Sequence, residues 1–161
     1  IPEMERLVAW LPDHVPPGDE TTIVHGDYRP GNVIVHPTEP RVVAVLDWEL
    51  STLGHPLADL AYTCVPYYLP DADGFRGRDL AALGIPSEAQ FIAAYCRRTG
   101  RAAIPDWDFY VAFSFFRLAA ISQGIMGRVL AGTASDPNAR ERGARARPLA
   151  ELAWAIAAGP G

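Results

Sequence analysis

Asp27, Asn32 and Asp47 are the residues best equipped to do chemistry together. They fall within residues 25–47, HGDYRPGNVIVHPTEPRVVAVLD. Asp27 and Asn32 stand five positions apart across Arg29-Pro30-Gly31. That run cannot be helix interior, because proline lacks the N–H and its ring collides with the preceding turn. An acid, a carboxamide and a second acid offer hard oxygen donors, a set that suits a divalent cation carrying phosphate. Magnesium takes one or two oxygens from the protein and the rest from phosphate and water. Asn32 and Asp47 can supply those two. Asp27 is then left to orient and deprotonate an attacking hydroxyl, and Arg29 can face a phosphate oxygen. Phosphoryl transfer needs little beyond such positioning and charge neutralisation.

The elements that must position these residues follow from local signals. Residues 21–24 predict a short strand running into His25-Gly26-Asp27, where Gly26 permits a sharp backbone path. Residues 33–35 predict a second strand, Pro37-Thr38-Glu39-Pro40 a turn, and residues 42–46 the returning strand. Asp47 stands at the end of that strand. A hairpin therefore brings Asn32, at its start, near Asp47, at its exit.

His25-Gly26-Asp27 with Asn32 five residues after the acid, followed by Leu46-Asp47-Trp48-Glu49, resembles the aminoglycoside phosphotransferase family. That family belongs to the protein-kinase-like fold, together with choline kinases. The longer pattern HGDYRPGN…LDWELSTLGHPLADLAY is most similar to the branch fused to some acyl-CoA dehydrogenases. The kinase catalytic loop has the same Asp-to-Asn spacing. The resemblance implies a mainly helical α+β fold, the C-terminal lobe of a kinase-like protein with a short catalytic-loop β-hairpin. It implies ATP or GTP as donor, Mg2+ as cofactor, and a hydroxyl on a small molecule as acceptor. Arg29 falls where protein kinases carry a phosphate-contacting lysine, and Asp47 where they carry the metal-binding Asp of D-F-G. Trp48-Glu49 replace Phe-Gly, and an acidic third residue there is like the choline-kinase branch.

Further residues take roles from the same resemblance. Asp59 matches an Asp, on the helix after the metal loop, that bonds the catalytic-loop backbone. A carboxylate stabilising a helix N-terminus is the alternative for it. His25 either touches substrate or packs and hydrogen-bonds under the loop. Glu49 supports the metal from behind its ligands or binds substrate. Tyr28 and Trp48 shape the pocket, with a core position equally open to Trp48. His36 and His55 flank prolines in turns and lack the spacing of zinc ligands.

Composition sets the outer bounds. The chain has 161 residues, one domain's worth, and its 49% apolar content excludes a disordered polymer. Net charge is −5, which argues against a nucleic-acid partner. Cys64 and Cys96 lie in apolar helical contexts and read as buried, reduced thiols of a cytoplasmic protein. No run is expected to be long and apolar enough to span a membrane, and the N-terminus is no signal peptide.

The kinase-like fold has a smaller lobe ahead of the catalytic loop, with a Gly-rich phosphate cover and a nucleotide-holding lysine. Here 24 residues precede His25, and all 14 basic residues of the chain are arginine. The expectation is therefore one C-terminal catalytic lobe over residues 1–161 with the N-terminal nucleotide lobe absent. A fragment of a longer protein is preferred over a naturally shortened one.

The remaining chain predicts helices. Met4, Leu7, Val8 and Leu11 are at helical spacing over residues 1–11, and residues 12–20 predict a loop. Residues 49–55 predict a connection, and Pro56 opens a helix to about Cys64, ended by Pro66. Residues 67–86 carry turn signals, including Asp71-Ala72-Asp73-Gly74, and predict a surface crossing. Ser87-Glu88-Ala89-Gln90 is a capping box for a helix to about Arg98, with Gly100 beyond. Asp106 is the expected cap of a long helix over residues 107–130, apolar almost all round and therefore expected to be buried. Arg117 inside it needs a carboxylate partner, for which Glu49 and Asp59 are the candidates. Gly124 and Gly127 permit close helix contact or a kink. Asp136-Pro137 starts a further helical segment whose Arg140, Arg142, Arg145 and Arg147 predict a solvated face. Pro148 is expected to break the path before a last apolar helix over residues 149–158.

The reading is a small-molecule kinase lobe with Asp27 as base. A kinase-like binding or scaffold module that has lost transfer is the alternative, but a module without chemistry has no need of all three polar residues. A metal-dependent phosphohydrolase lacks the second carboxylate cluster of a two-metal site. The aromatic, arginine-bearing later helices point to a neutral or anionic acceptor, such as a hydroxyacyl thioester, rather than a polycation.

Overall fold

The computed structural model describes residues 1–70 and 74–159. Strands here are short because proline, glycine and polar residues punctuate every apolar run between residues 15 and 56. Strand β1 (Thr22–Val24) pairs antiparallel with β4 (Thr52–Gly54), Ile23 facing Leu53 in register. Strands β2 (Val33–Val35) and β3 (Val42–Val45) form the expected hairpin, with Val33 opposite Val45 and an irregularity between Ile34 and Val35. The turn is closed by His36 N donating to Arg41 O (2.9 Å) and by Thr38 N and Glu39 N donating to His36 Nδ1. Strand β4 departs from the expectation of a plain connection. Three residues suffice for pairing because β1 leaves a free edge beside them.

Helix α2 (Leu57–Cys64) and α3 (Glu88–Thr99) complete the unit formed by residues 18–107. Both carry the predicted punctuation. Pro66 falls in a short 3-10 turn after α2, and the capping box of α3 is made by Ser87 and Gln90. Gly100 ends α3 in the left-handed conformation at φ 74°. The crossing between these helices is pinned by Tyr67, whose hydroxyl donates to Pro86 O (2.9 Å). Its Asp71-Ala72-Asp73 stretch lies outside the described residues, as do Pro160 and Gly161.

The second unit comprises residues 1–17 and 108–161. Helix α1 (Pro2–Asp13) runs two residues past its expected end. Pro12 sits in the last turn, where the bond it forfeits is at a fraying end, and His14 Nδ1 donates to Trp10 O (2.8 Å). Helix α1 packs on α6 (Ala146–Ala158), with Arg6 set over the Trp154 ring at 5.6 Å. Helix α6 begins before Pro148, because proline in a first turn loses no intrahelical bond. Helix α5 (Ala139–Ala144) presents Arg140 and Arg142 to solvent, Arg142 pairing with Asp136 at 3.2 Å.

Helix α4 (Trp107–Leu130) has the expected bounds but not the expected burial. Tyr110, Val111, Ala112, Ser114, Phe115 and Ala119 are buried, whereas Ile121 is 52% exposed and Leu130 76%. By length and composition α4 is able to cross a membrane, contrary to the sequence expectation, although its first half is buried in protein. Asp106 has φ 54°, not the extended backbone of an N-cap. Arg117 is half-buried and lies 5.9 Å from the Phe113 ring centroid. Among the described residues, Gly124 and Gly127 make no close helix contact. Gly143 does: a Cβ there would lie 2.9 Å from the Met126 backbone.

Candidate active site

Strand β1 delivers the chain into the loop at His25, and α2 receives that loop. Asp59, in the first turn of α2, accepts from two consecutive backbone N–H groups: His25 N to Oδ2 (2.5 Å) and Gly26 N to Oδ1 (2.9 Å). Both Asp59 oxygens are thereby committed to the loop. Thr63, one turn later, places Oγ1 2.9 Å from Tyr28 O. Gly26 is required where it stands. Its φ is 84°, and a Cβ would meet Leu50 O at 2.6 Å.

His25 is 3% exposed and lies under the loop. Its Nδ1 accepts from Asp27 N (3.2 Å), so Nε2 carries the proton and donates to Leu46 O (2.7 Å). This joins the first loop to the residue before Asp47. The Trp48 ring lies 4.8 Å from the imidazole, and its Nε1 donates to Val45 O (2.9 Å). Trp48 is half-exposed and lines the site.

Asn32 is 5% exposed, at the end of a 3-10 turn formed by Pro30–Asn32. Its Nδ2 donates to Asp27 O (2.9 Å) and to Asp27 Oδ2 (2.8 Å). With both amide hydrogens committed, the oxygen is the polar atom left for a ligand. Asn32 O in turn accepts from Leu46 N (2.8 Å), extending the hairpin ladder toward Asp47. Asp47 is exposed, with left-handed φ 65° and ψ 52°, at the junction of β3 and the 3-10 turn Trp48–Leu50. Asp and Asn tolerate that conformation better than bulkier residues. Glu49, in the same turn, is exposed and makes no hydrogen bond or ion pair among the described residues.

Arg29 is placed on Asp27 and not out toward a ligand. Its Nε donates to both carboxylate oxygens, at 3.0 and 3.2 Å. Burial pushes the Asp27 carboxyl up, but hydrogen bonds from Tyr62, Arg29 and Asn32 outweigh it and hold the group below the usual value. The Arg29 guanidinium is raised in turn, chiefly by its bond to Asp27. Tyr62 and Thr63 are site residues that motif reading missed. Their signal was the helical register with Asp59, three and four residues on.

Magnesium requires oxygen donors and accepts few from protein. The free amide oxygen of Asn32 and the exposed Asp47 carboxylate fit that requirement. Among the described residues no group of three or more His, Cys, Asp or Glu forms a metal cluster. Beside the loop is a cavity of about 340 Å3, walled by Ile23, Tyr28, Trp48, Leu60, Phe91 and Tyr95.

Residues 1–110 match the phosphotransferase enzyme family that includes the aminoglycoside phosphotransferases. This chain belongs to that family. A crystal structure from Ralstonia eutropha, assigned as an aminoglycoside phosphotransferase, superposes with a TM-score of 0.93 at 56% identity. The match covers 98% of this chain and 49% of that one. Mouse acyl-CoA dehydrogenase family member 10 is 52% identical over 98% of this chain, and chicken family member 11 is 45% identical over 94%. The chain spans only 15% and 20% of those two proteins. The α+β, mainly helical fold expected from the motif is thus the fold of the family.

Proposed function

We propose that this chain is the catalytic lobe of a small-molecule kinase that transfers the γ-phosphoryl group of ATP or GTP to a hydroxyl. One observation carries the reading. The Asp27 carboxylate, the Asn32 amide and the backbone leading to Asp47 are locked into one network by bonds of 2.7–3.2 Å through His25 and Leu46. A carboxylate so saturated with donors is a weak base. Asp27 therefore orients the acceptor O–H, and takes its proton as the oxygen bonds to the γ-phosphorus and the bond from that phosphorus to the β–γ bridging oxygen breaks. The nucleoside diphosphate leaves with that oxygen. Arg29 is half-exposed and, by turning from Asp27, can meet the charge gathering on the phosphoryl oxygens. Magnesium held by Asn32 and Asp47 would neutralise phosphate charge.

The cavity beside the loop favours a neutral or anionic acceptor over a polycation. Its walls are mostly apolar and aromatic, and the carboxylate on its rim, Asp59, is already occupied by two N–H groups. A second lobe would supply the phosphate cover and the cation that a chain without lysine lacks. The exposed Ile34, Val35, Val42 and Val43 offer it an apolar surface.

Calorimetry with Mg-ATP tests the proposal on the chain itself. Binding is expected to be weak, to depend on magnesium and to vanish in Asp47→Asn. In the complete protein, Asp27→Ala is expected to lower turnover at least roughly a hundredfold with nucleotide affinity nearly intact. Near-normal turnover in Asp27→Ala, or unchanged magnesium-dependent affinity in Asp47→Asn, refutes the assignment.

A further inference from the structure

We propose that Gly31 is a positioning residue for the transfer: its missing side chain seats the Arg29 guanidinium on the Asp27 carboxylate until nucleotide phosphate draws the guanidinium away. Asp27 is thereby opened to an acceptor hydroxyl only once the donor is in place. The inference rests on the roles given above to Asp27 and Arg29.

Arg29 to Asn32 form one tight turn, closed by Asn32 N donating to Arg29 O (2.9 Å). Pro30 and Gly31 are its two corners. Proline suits the first, because its φ is already set. The backbone does not call for glycine at the second, since Gly31 is not among the residues with positive φ. Space calls for it instead. A Cβ on Gly31 would lie 2.6 Å from Arg29 Nη1 and 3.5 Å from Arg29 Cζ, so the guanidinium lies where a side chain would stand. From that seat Arg29 Nε donates to both Asp27 oxygens, at 3.0 and 3.2 Å. The turn that seats Arg29 also brings Asn32 Nδ2 to Asp27 Oδ2 (2.8 Å).

These two donors differ in how readily they leave. Asn32 is 5% exposed, whereas 52% of the Arg29 side chain is exposed on a flexible stem. An ion pair so exposed shifts an equilibrium by a factor of about 1.5–5. That holds the guanidinium before the donor binds. It does not hold it against a polyphosphate, whose charge is larger and whose oxygens match the guanidinium fork. When phosphate takes Arg29, one donor leaves the Asp27 carboxylate while Asn32 stays on Oδ2. The place opened on the carboxylate receives the acceptor O–H. The seat therefore orders the two substrates, nucleotide first.

Gly31→Ala collides only with the far end of a flexible side chain, so it should displace the guanidinium and leave the fold alone. In the chain without nucleotide, at one fixed neutral pH, the Arg29 Nε–H and Asp27 carboxyl-carbon resonances should both move in this variant, with no fall in melting temperature. In the complete protein, Gly31→Ala should bind Mg-ATP roughly two- to fivefold more tightly, because the phosphates no longer compete with Asp27 for the guanidinium. On an Arg29→Ala background it should change the affinity no further, since the seat then has nothing to hold. In the wild-type chain, magnesium with a non-hydrolysable ATP analogue should move the same two resonances together, and this titration decides by itself if Gly31→Ala melts lower. Unmoved resonances, an Mg-ATP affinity unchanged or weakened in Gly31→Ala, or an equal gain without Arg29 overturns the inference while the role of Asp27 stands. A fully active Asp27→Ala overturns that role, and this inference with it.

Discussion

Removing the Asp59 carboxylate separates two physical accounts of the same residue. As a charge in the first turn of α2, Asp59 interacts with the helix dipole, an effect worth about 0.3–1 kcal/mol and screened by salt. As the acceptor for His25 N and Gly26 N, at 2.5 and 2.9 Å, it makes two charge-assisted bonds, each worth roughly 1.5–3 kcal/mol. Asp59 is half-buried, which favours the lower end, so Asp59→Ala should cost about 3 kcal/mol. His25 and Gly26 are buried, and their N–H groups would lose their partners without gaining water. At about 2–4 °C per kcal/mol for a chain of this size, the melting temperature should fall by about 6–12 °C. Asp59→Asn should be no better. Its single oxygen can serve one N–H, and its amide hydrogens then oppose the other. Circular dichroism melts at neutral pH, in low salt and in about 1 M salt, decide the matter, since bonds inside the fold are insensitive to a screening length of about 3 Å. A drop of less than about 3 °C in both variants, or one that disappears at high salt, would refute the clamp and leave only the dipole.

Two further outcomes follow from backbone and thiol. Gly26→Ala should destabilise by more than about 2 kcal/mol, because it adds the contact with Leu50 O to the left-handed strain, whereas Gly100→Ala, with the same sign of φ and open space, should cost only about 1 kcal/mol; equal melting shifts would show that the contact relaxes. Cys64 is buried and its thiol is pushed up to about 12 from 9.0, burial being the main cause and the Glu88 charge the lesser. Its folded pKa is raised, so its contribution to stability is fully present below pH 9.0 and is lost as pH rises toward about 12, and Cys64→Ser should flatten that alkaline loss. Neither Cys64 nor Cys96 should react quickly with a disulfide-exchange reagent at pH 8 until the chain is unfolded, and rapid labelling of either would contradict the packing.

The sequence by itself determined a good deal. Strand signals on both sides of Pro37-Thr38-Glu39-Pro40 fixed the hairpin, because turn chemistry and period-two pairing are local. Ser87 with Gln90, and Gly100, fixed the ends of α3 for the same reason: a cap needs only its own turn. The spacing of Asp27, Asn32 and Asp47 identified the family. What the sequence could not show depends on partners distant along the chain. Strand β4 exists because β1, about thirty residues earlier, offers it an edge. Helix α4 looks uniformly apolar, yet burial is uneven along it: Val111 and Phe115 are fully buried, whereas Ile121 and Leu130 are exposed. Gly124 and Gly127 invited a close helix contact that Gly143 makes instead, since which glycine meets a backbone depends on where another helix passes. Around Asp27 the same division holds. Residue types named the acid, but only tertiary structure decided what surrounds it: Arg29 turned onto its own loop, Asn32 donating inward, and α2 arriving with Asp59, Tyr62 and Thr63 on one face. Hydrogen bonds between residues some thirty positions apart are set by how elements pack, and no local pattern encodes them.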